Sequence, residues 1–327
     1  MTTKEAVLHT LRDNPQTYLS GEELAKTLSL SRNSVWRAVK SLQSEGYVID
    51  AVTNRGYCLI KGPDTLSAEG ILRHMPHLAQ KLRIEAFSTI TSTNTVLKGY
   101  AEQGAPEGTV LIASEQTAGK GRLNRSFFSP ANAGIYFSLL LRPSFSASES
   151  LYITTAAAVA VAEAIEAVAE RKTQIKWVND VYLDGKKVCG ILTEASFDLE
   201  RNCLAYAIPG IGINLKEPAE GIPEELRPIV ASLFDKDSYS PELRDRLAAE
   251  VISRFWSFYE HLTEKPFLKS YQERSFLKGK EVFVINGDVK IPATALDIDD
   301  EFRIGVRYAD GREEYLQSGE ISVKPRG

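Results

Sequence analysis

The 327-residue sequence is poor in the residues that mark a disulfide scaffold or a metal centre. It has three cysteines, Cys58, Cys189 and Cys203, an odd number with no C-x-x-C pair, so buried free thiols in a reducing cytoplasm are expected. Of four histidines only His74 and His77 are close, and Pro76 between them argues against a helical ligand face; no protein metal site is expected. Long uninterrupted apolar runs are missing as well. The stretch "ITTAAAVAVAEAIEAVAE" is Ala-rich and broken by glutamates, which predicts a packed helix and no membrane partner. The N-terminus lacks the charged, apolar, small layout of a secretory signal. Nor is there a large excess of one charge: the net charge is −4, with 43% hydrophobic and 25% charged residues, as in ordinary soluble chains. Internal repeats and low-complexity tracts are absent, and the length suits two or three domains.

What is present begins with short helices. "SGEELAKTLSL" opens with Ser20 and has Glu23 three residues on, the capping-box pattern. Ser31 caps a second start, "SRNSVWRAVKSLQSEG", with Val35, Ala38, Val39 and Leu42 on one face and Asn33, Arg37, Lys40 and Ser44 on the other. Two β-rich runs flank Thr53–Asn54–Arg55–Gly56, a hairpin with a cation at its tip. Together these predict a winged helix-turn-helix over 1–62. Ser31, Arg32, Asn33, Ser34, Arg37, Lys40 and Arg55 are the candidate DNA contacts. Residues 1–62 hold eight Lys/Arg and six Asp/Glu, a net +2, which leaves −6 for the remainder. A small basic module on an acidic body fits DNA affinity, although a winged helix used for protein contacts has the same pattern. Gly62, Pro63 and Asp64 predict the boundary, and 63–78 reads as a linker.

From about 80 to 215, β-rich runs alternate with helical ones, which predicts a mixed sheet covered by helices. Polar residues and glycines gather in three patches. In "STITSTNTVLKGY", Ser92 or Thr93 caps a helix. In "EQTAGKGRLNRSFFSP", Gly119 and Gly121 sit among Lys120, Arg122 and Arg125. A Walker loop fails there, because Gly121 follows the lysine where the motif requires Ser or Thr. A dinucleotide fingerprint fails at Asn124. What remains is bare backbone N–H and cations, able to enclose an anion or simply to form a mobile surface loop. In "IKWVNDVYLDGKKVCGILTE", Asp184–Gly185 predicts a hairpin and places Lys187 inside a strand. Such a lysine is either an edge-strand guard or a cation aimed at a ligand, and Gly190 favours the second. "GIGIN" adds Gly210 and Gly212 before Asn214.

These patches, in this order, resemble the biotin protein ligases. "GKGRLNRSFFSP" is similar to the family's biotinoyl-adenylate loop, G-R-G-R-x-G-R-x-W-x-S-P; "KWVND" to K-W-P-N-D; and "KKVCGILTE" to its lysine strand followed by G-I-L-x-E. "STN" and "GIGIN" match further motifs, and the winged helix in front resembles the bifunctional bacterial form, ligase plus repressor of the biotin operon. Departures are Lys120 for arginine, Asn124 for glycine, Phe127 for tryptophan and Val178 for proline.

The resemblance implies an α+β multidomain chain. Its parts are the winged helix-turn-helix (1–62), a class II synthetase-like catalytic domain with a mixed sheet (79–275) and an SH3-like β-barrel (276–327). It implies biotin and ATP as substrates, with Mg²⁺, and transfer through biotinoyl-AMP to a lysine on the carrier domain of acetyl-CoA carboxylase or a related carboxylase. Lys187, Arg122 and Asp180 are the implied catalytic residues. Ser92, Thr93, Asn94, Gln116, Gly119, Lys120, Gly121, Arg122, Lys187, Gly190 and Gly210 are implied for biotin, and Arg122, Arg125, Phe127, Lys176, Asn179 and Asn214 for ATP. Further implications are operator DNA, a homodimer when adenylate-bound, and a loop disordered while empty. Alternatives are a lipoate ligase of the same fold and a ligand-sensing repressor without chemistry.

Overall fold

Local capping sets the start of the chain. Helix α1 (Thr3–Asp13) begins at Thr2, whose hydroxyl accepts from Glu5 N while the Glu5 carboxylate accepts from Thr2 N. Ser20 and Glu23 repeat the arrangement at α2 (Gly21–Thr27), and Ser31 accepts from Ser34 N at α3 (Arg32–Ser44). Each side-chain oxygen satisfies an N–H that the first helical turn leaves unpaired. The helices bury Val7, Leu11, Leu24, Val35, Val39 and Leu42 together with Ile49 of β1 (Val48–Val52). Strand β1 pairs antiparallel with β2 (Gly56–Lys61), with the turn where the sequence predicts it.

The computed structural model describes residues 2–14, 16–61, 66–123, 125–143, 150–198, 203–235, 238–286, 289–317 and 321–325. They divide into two units, Met1–Thr65 with Ser240–Glu242, and Leu66–Tyr239 with Leu243–Gly327. The predicted boundary at Gly62–Asp64 lies outside the described residues. The stretch read as a linker carries helix α4 (Ala68–His74), and its Ile71, together with Met75, is fully buried in the core of the second unit.

That unit is built on β3 (Arg83–Phe87), β4 (Thr109–Ala113), β5 (Gly134–Leu139), β6 (Gln174–Lys176), β7 (Asp180–Leu183), β8 (Lys186–Asp198) and β9 (Cys203–Asn214). They form one sheet in the order β3-β4-β5-β9-β8-β7-β6. Only β3 and β4 run parallel, so the sheet is mixed as predicted. Strand β4 shows why its sequence is apolar throughout. Leu111 and Ala113 pack with Leu97 and Ala101 of α5 (Thr93–Glu102), while Val110 and Ile112 join the opposite cluster with α6 (Ser150–Ala169) and α7 (Pro241–Glu260). Successive residues face opposite sides, and both sides are covered. Among the described residues α6 is the one helix long and apolar enough to cross a membrane, and 72% of its apolar window is buried inside the protein.

The chain then passes α8 (Leu268–Glu273) and ends in β10 (Glu281–Asn286), β11 (Val289–Ile298), β12 (Ile304–Tyr308), β13 (Glu313–Leu316) and β14 (Ile321–Pro325). These make an antiparallel sheet in the order β13-β12-β11-β10-β14. Among the described residues β13 and β14 do not pair with each other, so the predicted barrel closure is not part of the observed pairing.

One turn of the C-terminal sheet is keyed to the central one. Trp177 Nε1 donates to Phe302 O at 2.8 Å. The Phe302 ring lies 5.4 Å from both Phe267 and Tyr271, and Tyr271 OH donates to Val178 O at 3.0 Å. The Trp177–Val178 peptide is cis. Replacing Trp177 with Phe removes the donor but keeps most of the apolar body, and leaves a buried carbonyl unpaired. The expected loss is about 1–3 kcal/mol of unfolding free energy, read from urea unfolding of the full chain. An unchanged midpoint would show that the key contributes nothing.

Candidate functional site

One pocket collects most of the residues singled out from the sequence. Its wall holds Ser92, Thr93, Asn94, Gln116, Lys120, Gly121, Arg122, Phe127, Asn179, Lys187, Gly190 and Gly210, joined by Ile191, Leu192, Ile211 and Gly212, which the sequence reading did not assign. Gly119 stands just behind the wall, where its carbonyl accepts from Phe127 N at 2.9 Å.

One end is neutral and tightly bonded. Ser92 caps α5, and Thr93 donates to Gln116 Oε1 from both N (2.8 Å) and Oγ1 (3.1 Å). Gln116 Nε2 donates in turn to Ser129 Oγ at 3.1 Å. Ser138 Oγ lies 2.7 Å from Thr93 Oγ1 and 2.6 Å from Asn94 Oδ1, and Asn94 Nδ2 donates to Glu194 Oε2 at 2.8 Å and to Leu192 O at 3.2 Å. Ser92, Thr93, Asn94 and Ser138 are all buried, so these bonds hold polar atoms in defined directions. Glycine paves the strand beneath. A Cβ at Gly210 would stand 2.0 Å from Asn94 Oδ1, and one at Gly212 would stand 2.3 Å from the Phe127 ring. Any side chain there would displace the groups that form the wall. Ser138 and Gly212 were missed, although each leaves a signal: a lone serine in "GIYFSLLL", and a glycine inside the quoted "GIGIN".

The other end is cationic. Strand β8 lies between β9 and β7, so Lys187 is on an interior strand, which excludes the edge-guard reading. Its Nζ is 2.7 Å from Asp180 Oδ1, yet that buried oxygen accepts no hydrogen bond among the described residues. The pair is electrostatic and unaligned. Nζ also lies 5.7 Å from the Phe127 ring centre, on its face. Arg122 Nη1 donates to Asn179 Oδ1 at 3.2 Å, and Asn179 Nδ2 donates to Ile191 O at 2.7 Å. Burial lowers the Arg122 pKa from its ordinary value, with the Asp180 carboxylate pulling the other way. Guanidinium remains charged under such a shift, so it is a partly dehydrated cation. Burial pushes the neighbouring Cys189 thiol well up, which leaves it neutral and inert.

The glycine-rich loop is folded as a flap. Gly121 N donates to Arg125 O at 2.7 Å, and Lys120 bridges Ser126. Asn124 lies outside the described residues. Besides Gly119, four assigned residues are not on the pocket wall. Asp180 stands behind Lys187. The Arg125 side chain is exposed on the flap. Lys176 is on the edge strand β6, its Nζ 5.6 Å from the Tyr182 ring centre. Asn214 lines a neighbouring cleft with Phe128, Pro130, Tyr136 and Val230, and donates to Ala231 O at 3.2 Å.

In the first unit, Ser31, Arg32, Asn33, Arg37, Lys40 and Arg55 are exposed. Ser34 is half-buried and 2.8 Å from Ser31 Oγ, and Arg55 stacks 4.0 Å over the Tyr18 ring.

Residues 86–214 match the biotin/lipoate A/B protein ligase family, and residues 3–58 match an HTH domain. The chain is 39% identical over 216 residues to the bifunctional ligase/repressor BirA of Bacillus spizizenii, an alignment spanning 66% of each protein, a little under two thirds of that relative's length. It is 30% identical over 247 residues to the biotin--[acetyl-CoA-carboxylase] ligase of Mycobacterium tuberculosis, spanning 73% of this chain and 88% of that one. A solved structure, the biotin protein ligase from Aquifex aeolicus in complex with biotin and ATP, superposes with a TM-score of 0.61 at 28% identity, over 75% of this chain and 99% of that one. With its ordered motifs gathered in one pocket and these relatives across most of its length, the chain belongs to the biotin/lipoate A/B protein ligase family.

Proposed function

We propose that the chain is an ATP-dependent biotin protein ligase which also acts as a biotin-operon repressor. The observation that carries this reading is the two-ended pocket: neutral, hydrogen-bonding and buried around Asn94 and Ser138, cationic around Lys187 and Arg122. Biotin has the same two ends, an uncharged ureido ring and a carboxylate. Ser92, Thr93 and Gln116, with the backbone of 120–122, bond the ring. The carboxylate oxygen attacks the α-phosphorus of ATP, pyrophosphate leaves, and biotinoyl-AMP remains. Two anions meet in that step, and Lys187 and Arg122 screen them from fixed positions. The ring of Phe127 closes the pocket between the two ends, and the cleft at Asn214 takes the base. A carrier lysine then attacks the carbonyl carbon and AMP leaves. No covalent enzyme intermediate is needed; the chain positions and screens.

Mg²⁺ fits as a companion of the phosphates. Among the described residues no three His, Cys, Asp or Glu side chains form a metal cage, and Mg²⁺ typically takes one or two carboxylates plus phosphate oxygens. Asp180, with Asn179, would hold it, and it would neutralise phosphate charge. The C-terminal sheet is read as the family's SH3-like barrel, which supports the 177–180 segment and docks the carrier. A cytoplasmic location suits three free cysteines.

The lipoate alternative makes little use of the neutral end, because a dithiolane would leave Asn94 and Thr93 facing a ring without donors. Incubation with ATP and either biotin or lipoate, with the adenylate identified by mass, decides between them. Biotinoyl-AMP is expected; lipoyl-AMP alone would overturn the reading, and release of no pyrophosphate with either acid would leave a sensor without chemistry.

Lys187→Ala removes a charge-assisted contact to the reacting oxygens, which typically costs ~2–4 kcal/mol in the transition state. Pyrophosphate release with biotin is expected to fall by roughly two orders of magnitude or more, with the fold retained. Near-normal turnover would mean that Lys187 serves Asp180 only.

Arg122→Gly removes the guanidinium that retains the adenylate. Escape of biotinoyl-AMP should then exceed the loss of synthesis, so that lysines of bystander proteins become biotinylated. Mass spectrometry of a mixed protein pool reads this, and labelling confined to the carrier would count against the role.

The repressor half requires that the adenylate-bound protein dimerise and place two winged helices on one palindromic operator. Coupling of this kind is commonly ~1–3 kcal/mol, about 5–150-fold in affinity. In an operator titration, biotin with ATP should tighten binding, and unbiotinylated carrier should reverse it by consuming the adenylate. Binding indifferent to both additions would separate the two activities.

A further inference from the structure

The outward face of α3 carries an aromatic side chain that the DNA-binding reading does not use. Helix α3 sends Val35, Ala38, Val39 and Leu42 into the core of its unit. Trp36 points the other way and is 49% exposed, whereas the other two tryptophans, Trp177 and Trp256, are each 6% exposed. It falls three residues after Asn33 and four before Lys40, with Arg37 beside it, so the four share one helical face. The thirteen residues of α3 include Arg32, Arg37 and Lys40 and no acidic residue at all.

An indole held in water on a helix otherwise polar on that side needs a reason. The cations around it select an anionic surface, and the indole selects apolar atoms set within that surface. Duplex DNA offers both together: rows of phosphates, and between them in the major groove the C5-methyl groups of thymine. The groove is wide enough to admit a helix, the N-terminal residues of a recognition helix contact the base edges, and Trp36 is the fifth residue of α3.

We propose that Trp36 is a sequence-reading residue: it packs against thymine methyl groups in the major groove while Arg37 and Lys40 hold the flanking phosphates. The proposal rests on the DNA-binding reading of this unit and adds to it a preference for T·A pairs at the centre of each half-site. The contact is apolar, so it contributes specificity without contributing to counterion release.

The test uses the full-length protein with biotin and ATP, and duplexes enriched by it from a random-sequence pool. Because Trp36 is the exposed tryptophan, intrinsic fluorescence reports on it directly. Bound duplex should shift its emission and protect it from acrylamide, and Trp36→Phe should abolish both changes. Trp36→Ala should weaken binding to an enriched duplex roughly 5- to 150-fold, the range of one lost base contact, and leave biotinylation of the carrier unchanged. Its salt dependence should match that of the unaltered protein, whereas Arg37→Ala or Lys40→Ala should reduce the log–log salt slope by about one. Uracil in place of the contacted thymine should weaken binding about fourfold, the worth of one buried methyl group, and that penalty should vanish in Trp36→Ala. Emission unmoved by DNA, with Trp36→Ala binding normally while Arg37→Ala and Lys40→Ala lose affinity, would overturn the role of Trp36 and leave the DNA reading standing. Failure of the unaltered protein to retain any duplex would overturn both.

Discussion

At the cationic end of the pocket, the Asp180 carboxylate acts on both Lys187 and Arg122. Asp180 is ion-paired with Lys187 at 2.7 Å, and the same carboxylate opposes the effect of burial on Arg122. Water would ordinarily screen these charges, but Arg122 is partly dehydrated. Cations so placed act strongly on an anion that enters. Both cations are also fixed by something other than the opposite charge. Asn179 does so for Arg122 through a neutral amide, itself anchored on Ile191 O. Strand β8, flanked on both sides, does so for Lys187.

Asn179 and Asp180 are in turn held from behind. Tyr271 OH takes Val178 O, and Trp177 Nε1 reaches Phe302 O in the turn between β11 and β12. That turn is itself braced by Asp299, whose carboxylate accepts from Glu301 N, Arg303 N and Arg303 Nε. A chain of bonds thus runs from the C-terminal sheet to Trp177 and Val178, the two residues just before Asn179 and Asp180. The C-terminal sheet supports the site although none of its residues lines the wall.

The opposite end works by direction instead of charge. Asn94, Ser138, Thr93 and Gln116 use much of their hydrogen-bonding capacity on one another, which fixes where the remaining donors and acceptors point. A ligand with an uncharged polar ring and an anionic tail is oriented by the contrast between the ends, and a ligand lacking either group forfeits one of them. The first unit repeats the theme on a surface: α3 combines three cations with one exposed indole, charge for approach and an apolar group for discrimination.

The sequence by itself determined whatever depends on neighbours three or four residues away. The capping box at Ser20, the cap at Ser31 and the Asp184–Gly185 turn are local hydrogen-bonding and dihedral choices, and they are legible because their partners are adjacent. The clustering of glycine and cation in 119–125 was legible for the same reason. Register and strand order were not. Lys187 could be an edge guard or a site residue until β8 was placed between β9 and β7. Ser138 gained a role only when β5 brought it against Asn94 and Thr93. Arg125, Lys176 and Asn214 look alike in sequence as polar residues beside motifs, yet one lies exposed on the flap, one on an edge strand and one in a second cleft. The bond from Trp177 to Phe302 spans 125 residues. Only tertiary structure decides such contacts, because they follow from which strands pair and how far each slides along its neighbour, and neither is encoded within any short window.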